Sequence, residues 1–286
     1  MKGYSGRQFA FFRLALGAYL AVHFLQLIPC GAELFSREGM LPEARVNLTA
    51  GLFPNPLACW DSPGAVTFFL SALSFLSIIF AIGYRRQPIA LLLWFGWACL
   101  FNRNNLILNP SLPYIGLLLL LSALVPAGEG WSPEQVNPAW QLPAGIYWAG
   151  WILLAAGYSY SGAMKLISPS WIDGSALLHI LHNPLARAGA GRDLLLQLPA
   201  SWLQLATWSS LAVELIFLPL SFCLTTRKIV WCALVGLHLA ILCLVNFADL
   251  TLAMLLAHLF VFDSRWLGAL PTVKPARDAF GSRAQT

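Results

Sequence analysis

Lys165 stands at the end of the stretch Tyr158-Ser-Tyr-Ser-Gly-Ala-Met-Lys165, inside an otherwise apolar run that Pro169 stops just beyond it. An amine in that position reads in two ways. At a helix C-terminus its charge is favoured by the helix dipole and snorkels to the headgroups. Closed away from water, desolvation lowers its pKa and makes it a general base. Glu214 and His238 lie near the middle of two later apolar runs, at depths that let them meet. They read either as helix glue or as a proton-relay or cofactor-orienting pair, because ionisable groups inside a membrane are costly and functional by default. His258 reads as a satisfied core histidine, and Arg13 as a cation that snorkels to the headgroups. His179 and His182 are i, i+3 neighbours with only Asp173 nearby, so no metal site is assigned.

These residues need elements to hold them, and composition says which. Of 286 residues, 58% are hydrophobic and only 10% charged. Mean hydropathy is +0.70. Soluble domains carry about 25% charged residues, so a soluble enzyme, a disordered chain, a coiled coil and a disulfide scaffold are excluded. Spanning a core about 30 Å thick takes roughly 20 apolar residues as a helix. Eight segments qualify in pattern: 9–29, 64–84, 88–107, 113–126, 144–166, 202–224, 229–246 and 250–263, the fourth and eighth being short. The expected fold is all-α, a polytopic bundle of about eight transmembrane helices. A short amphipathic interfacial helix is expected over 171–182. Residues 1–268 form the transmembrane domain and 269–286 a basic cytoplasmic tail.

Charge placement supports an even number of spans. With the N-terminus inside, Lys2, Arg7, Arg85, Arg86, Arg227, Lys228, Arg265, Lys274, Arg277 and Arg283 fall on the inner side. Only Arg37, Arg45, Arg103, Arg187 and Arg192 fall outside. The net charge of +5 is then explained by topology, with membrane lipids as partners and no nucleic acid. The first apolar run lacks a clear small-x-small cleavage site and is read as a retained helix in a cell-membrane protein. Cys99, Cys223, Cys232 and Cys243 read as apolar fillers within spans. Cys30 and Cys59 fall near one face, where a disulfide is an open question. The tryptophans, Trp94, Trp97, Trp140 and Trp151 among them, fit interfacial belts. Asn47-Leu48-Thr49 is a glycosylation sequon, relevant only in a eukaryotic source.

Four pieces of the chain resemble the HTTM family, whose animal members are the vitamin K-dependent gamma-carboxylases. They are Phe11-Phe-Arg13-Leu-Ala-Leu-Gly with Phe35-Ser-Arg-Glu-Gly39-Met-Leu-Pro; Gly83-Tyr84-Arg85 through Asn104-Asn105 to Tyr114-Ile-Gly116-Leu; Ser161-Gly162-Ala-Met-Lys165-Leu with Trp171-Ile-Asp-Gly174; and Glu214, Pro219, His238, Met254 and Trp266. In order they span about residues 8–268. The resemblance implies a membrane enzyme in which Lys165 acts as base on a reduced, vitamin K-like quinone, with Glu214 and His238 lining one cavity. Asn104, Asn105, Tyr158 and Trp171 become the cofactor-binding candidates. The carboxylases have a histidine in a stretch like Asn-His-Ser-Tyr-Leu-Tyr-Gly, where this chain reads Asn109-Pro110-Ser111-Leu-Pro113-Tyr114. They also continue into a large lumenal domain that grips substrate propeptides. The alternative is a non-enzymatic membrane factor for maturation or export of a secreted peptide, acting beside a partner protein.

Overall fold

The computed structural model describes residues 4–47, 49–107 and 109–267; the tail expected at 269–286 lies outside the described residues. Among the described residues the chain is all-helical, with isolated β-bridges in place of strands. The α-helices are α1 (Gly6–Leu27), α2 (Gly31–Phe35), α3 (Pro63–Ile82), α4 (Arg86–Arg103), α5 (Leu112–Leu124), α6 (Ala144–Lys165), α7 (Pro169–Ile172), α8 (Ala176–His182), α9 (Ala190–Leu196), α10 (Ala200–Ser221), α11 (Leu224–Leu244) and α12 (Ala248–Phe260). Each of the eight apolar segments is a helix. Four of them, α1, α3, α10 and α11, are long and apolar enough to cross a membrane. The 13-residue α5 and α12 rise only ~20 Å at 1.5 Å per residue.

Local chemistry sets the boundaries. The Ser5 side chain accepts from the Gln8 N–H and caps α1, while Ser62 caps α3 with Pro63 in its first turn. Gly83 ends α3 at φ 91°, and a Cβ there would stand 2.5 Å from the Arg13 guanidinium. The single interfacial helix expected over 171–182 is instead two short ones, α7 and α8, broken at Gly174, whose φ of 81° no helix accommodates.

The helices pack as two groups. In one, α1 lies on α3, α3 on α4 and α4 on α5; in the other, α6 lies on α10, α10 on α11 and α11 on α12. The short α12 joins them, touching α1, α5 and α6. Close approach is allowed where Gly17 meets Ala81 and where Gly162 meets the Leu215 backbone, positions a Cβ would fill. Phe68, Phe75, Leu91 and Ile229 are exposed on the outer faces, which is ordinary for helices that face lipid.

At the end of the bundle where α1 begins, the expected snorkelling of Arg13 does not occur. Arg13 is 1% exposed and bonds the Glu129 carboxylate at 2.8 Å. It also donates to the carbonyls of Ala81, Ile82 and Trp131. Arg86 meets the same carboxylate at 2.7 Å, so one buried acid holds two buried cations. Arg227 is buried too, over the rings of Trp148 (4.5 Å) and Trp151 (5.4 Å). Two of the basic residues counted in the charge bias therefore brace the fold. Trp97, Trp140 and Trp151 are likewise buried rather than set in belts. Removing Glu129 strands both guanidinium groups, so Glu129→Ala is expected to cost about 3–5 kcal/mol. Exposed Arg45→Ala is expected to cost under ~0.5 kcal/mol; thermal unfolding in detergent checks both.

Candidate functional site

Lys165 is the last residue of α6, at the opposite end of the bundle from Ser5. Its Nζ donates to both oxygens of Glu214 on α10, at 2.5 and 2.6 Å. It also lies 4.4 Å from the ring centroid of Trp171 on α7. The lysine side chain is 24% exposed and the carboxylate 7%. The amine therefore neither reaches freely for headgroups nor sits alone in a dry recess. It is one half of an ion pair with an aromatic wall.

The local backbone holds Glu214 opposite Lys165. Pro219 in α10 has no N–H to give the Leu215 carbonyl. The Ser159 hydroxyl of α6 donates there at 3.1 Å and to the Glu214 carbonyl at 3.2 Å, and accepts from the Leu218 N–H. The missing helix bond thus becomes an α6–α10 clamp beside the pair. The α7–α8 turn is tied down as well. Trp208 donates to the Ile172 carbonyl, and the Leu177 N–H donates to the Thr207 hydroxyl. The Ser175 hydroxyl and backbone N–H hold the exposed Asp173 carboxyl below its ordinary range.

His238 is not hydrogen-bonded to Glu214. Its Nε2 lies 2.6 Å from the Tyr158 hydroxyl, which also lies 2.9 Å from the Nε2 of His258. One phenol has one proton, so it donates to one imidazole and accepts from the other. That makes a directional three-residue chain across α6, α11 and α12, along which a proton can pass. The Nδ1 atoms of both histidines are buried with no partner among the described residues. Tyr114, which the sequence reading gave no role, places its hydroxyl where a Cβ on Gly157 would be. It lies close enough to Glu214 and Tyr158 to interact with both electrostatically.

The cofactor-binding candidates do not converge. Trp171 and Tyr158 belong to this site. Asn104 is in the other helix group, where it donates to the Leu34 carbonyl at 2.7 Å and lines a cavity of about 270 Å³. Asn105 is half-buried beside it and is not among that cavity's lining residues. All six cysteines, Cys30 and Cys59 included, are free. Cys223, expected within a span, caps α11 in an exposed turn. His182 turns its Nδ1 to the Leu178 carbonyl, and no group of three metal-ligating side chains occurs among the described residues. The sequon asparagine, Asn47, is 5% exposed and donates to the Asn102 carbonyl.

Sequence reasoning gave His23 no role and passed over Asp249, which bond each other at 3.0 Å between α1 and α12. They are 226 positions apart, and no local pattern joins them. No family model, curated protein or solved structure matches the chain.

Proposed function

We propose that the chain is an integral membrane enzyme of the carboxylase-like kind, in which the Lys165–Glu214 pair is the acid–base unit. The observation that carries this reading is the amine held on both oxygens of a nearly buried carboxylate while still a quarter exposed. An ammonium is no base. In surroundings of low dielectric, however, an ion pair and its neutral form come close in energy. Glu214 can then take the proton from Lys165, and the free amine can accept one from an acidic hydroxyl. Tyr158, His238 and His258 stand behind the pair as groups able to pass a proton onward.

The donor set fits the head of a reduced quinone-like cofactor or a hydroxylated lipid: an amine and carboxylate for the hydroxyl, and the Trp171 face for the ring. Such a hydroquinone, when oxygenated, supplies a stronger base than any side chain. This chain's residues would orient the hydroxyl, hold its proton at Nζ and limit the entry of water.

The same reading takes all eight apolar helices as membrane-embedded, N-terminus and C-terminus inside, with Lys165 toward the outer face. The short α5 and α12 are shielded in part by their neighbours, which is what supports counting them. A second reading, a non-enzymatic factor that docks a secreted peptide, is favoured by one feature. The loop between α2 and α3 exposes Val46, Leu52 and Trp60.

Lys165→Ala, Lys165→Arg and Glu214→Gln are each expected to lower activity or complementation by about 100-fold or more, with Leu52→Ser and Trp60→Ser close to the parent. The opposite ranking would favour the docking factor. Topology has its own check in the native cysteines. Exposed Cys59 should take an impermeant maleimide on intact cells, and exposed Cys223 only after permeabilisation. The backbone N–H groups of Thr226 and Thr225 lower the Cys223 thiol pKa. Its labelling should therefore remain rapid as the pH falls toward neutral.

A further inference from the structure

A cavity of about 620 Å³ lies between α1 and α12, within the range of small-molecule sites. Ala15, Ala18, Val22, Leu252 and Leu255 belong to its apolar wall, and Val22 and Leu252 are exposed, so the space is a groove open at the surface. Its lining runs along α1 from Ala15 to Leu27. Twelve helical steps make ~18 Å, slightly more than one leaflet of a hydrocarbon core ~30 Å thick.

Asp249 and His23 line this groove and also an adjoining cavity of about 270 Å³, so the two spaces meet at the pair. Phe35, Trp97, Phe101 and Phe247 are among the walls of the smaller space. Among the described residues, neither lining includes a lysine or arginine, and Asp249 is the one acid in both. Its Oδ1 accepts from the Tyr19 hydroxyl at 2.9 Å and lies 3.0 Å from His23 Nδ1. Its Oδ2 has no hydrogen-bond partner among the described residues. The Asp249 side chain is 37% exposed, against 7% for Glu214 and 3% for Glu129, so this carboxylate is the one with an oxygen left open to a ligand.

We infer that the groove binds an apolar-tailed amine, with its ammonium head on Asp249 Oδ2 beside the aromatic walls and its tail along α1 and α12. Charge decides the head, and it does so in either state of His23. A neutral imidazole leaves the carboxylate its whole charge. An imidazolium occupies Oδ1 and leaves Oδ2 free, and Glu129 shows one carboxylate of this chain serving two cations. A phosphate or carboxylate head would meet Asp249 as a like charge, with no lysine or arginine in the walls to offset it. A hydroxyl can donate to Oδ2, but its uncharged bond is about half as strong as one from a cation, and aromatic rings add attraction only for the cation. The groove shares no residue with the Lys165–Glu214 site, so failure of one reading leaves the other intact.

The test is equilibrium binding of radiolabelled dodecylamine to the full chain in uncharged detergent at neutral pH, with dodecanol and dodecanoic acid as comparators of equal tail length. The parent should bind the amine about tenfold more tightly than the alcohol, and the acid weakest of the three. Asp249→Asn should erase the preference for the amine and leave the alcohol's affinity in place, which also reports that the groove is still formed. Ala18→Phe should abolish binding of both by filling the groove, and Val22→Trp blocks the same groove should Ala18→Phe fail to fold. Equal affinity for amine and alcohol, tighter binding of the acid, a preference that survives Asp249→Asn, or binding that survives both groove-filling changes would overturn the assignment.

Discussion

A charge in hydrocarbon must be paired, and that constraint organises this molecule. Its apolar helices contain few ionisable groups, and the buried ones are answered by a carboxylate, a carbonyl or an aromatic face. Glu129 answers Arg13 and Arg86, Glu214 answers Lys165, and Asp249 answers His23. Arg227 lies on two tryptophan rings and donates to the Ser221 carbonyl at 2.6 Å. Lys165–Glu214 and His23–Asp249 cross between helices, and Glu129 ties α1 and α4 to the loop after α5, so the pairs fix which segments touch and at what height. A pair of this kind adds little net stability against a well-packed apolar alternative, but breaking one by removing a single partner is costly.

The pairs differ in what they leave over. At the end where α1 begins, Glu129 and the carbonyls around it absorb the donors of Arg13 and Arg86, and the cluster is closed. At the other end the site retains unspent capacity. Lys165 is partly open to solvent, and the Tyr158 hydroxyl is shared by two imidazoles whose remaining nitrogens are buried and, among the described residues, unpartnered. The short α12 connects these features. It carries His258 to Tyr158 on one side and Asp249 to His23 on the other, and touches both helix groups. Closed clusters brace a fold; open ones can bind or exchange protons, which is why the functional reading rests on this end.

The sequence carried much of this, unevenly. Hydrophobic run length placed all eight apolar helices within a few residues, because burial in lipid or protein selects the same composition. Lys165 and Glu214 were visible because hydrocarbon makes such residues rare. Their pairing with each other was not, since Glu214 seemed matched to His238 by depth alone, and depth says nothing about which helix face a residue occupies. Tyr158 took His238 instead. Arg13 read as a snorkelling cation because its acid, Glu129, lies 116 positions away in a segment that looks like an ordinary loop. The break at Gly174 was missed because the amphipathic pattern over 171–182 continues through it. His23 and Asp249 were illegible for the same reason as Glu129: the partner is distant in sequence and the pair exists only once α1 and α12 meet.

The central claim is that Lys165 and Glu214 are kept for chemistry rather than for holding α6 to α10. Replacing both at once, Lys165→Met with Glu214→Met, removes the two charges together and strands neither. Thermal unfolding and activity of that double variant, measured side by side, separate the two roles. The account predicts a melting temperature equal to or above the parent's with activity lost. A double variant that keeps its activity would contradict it.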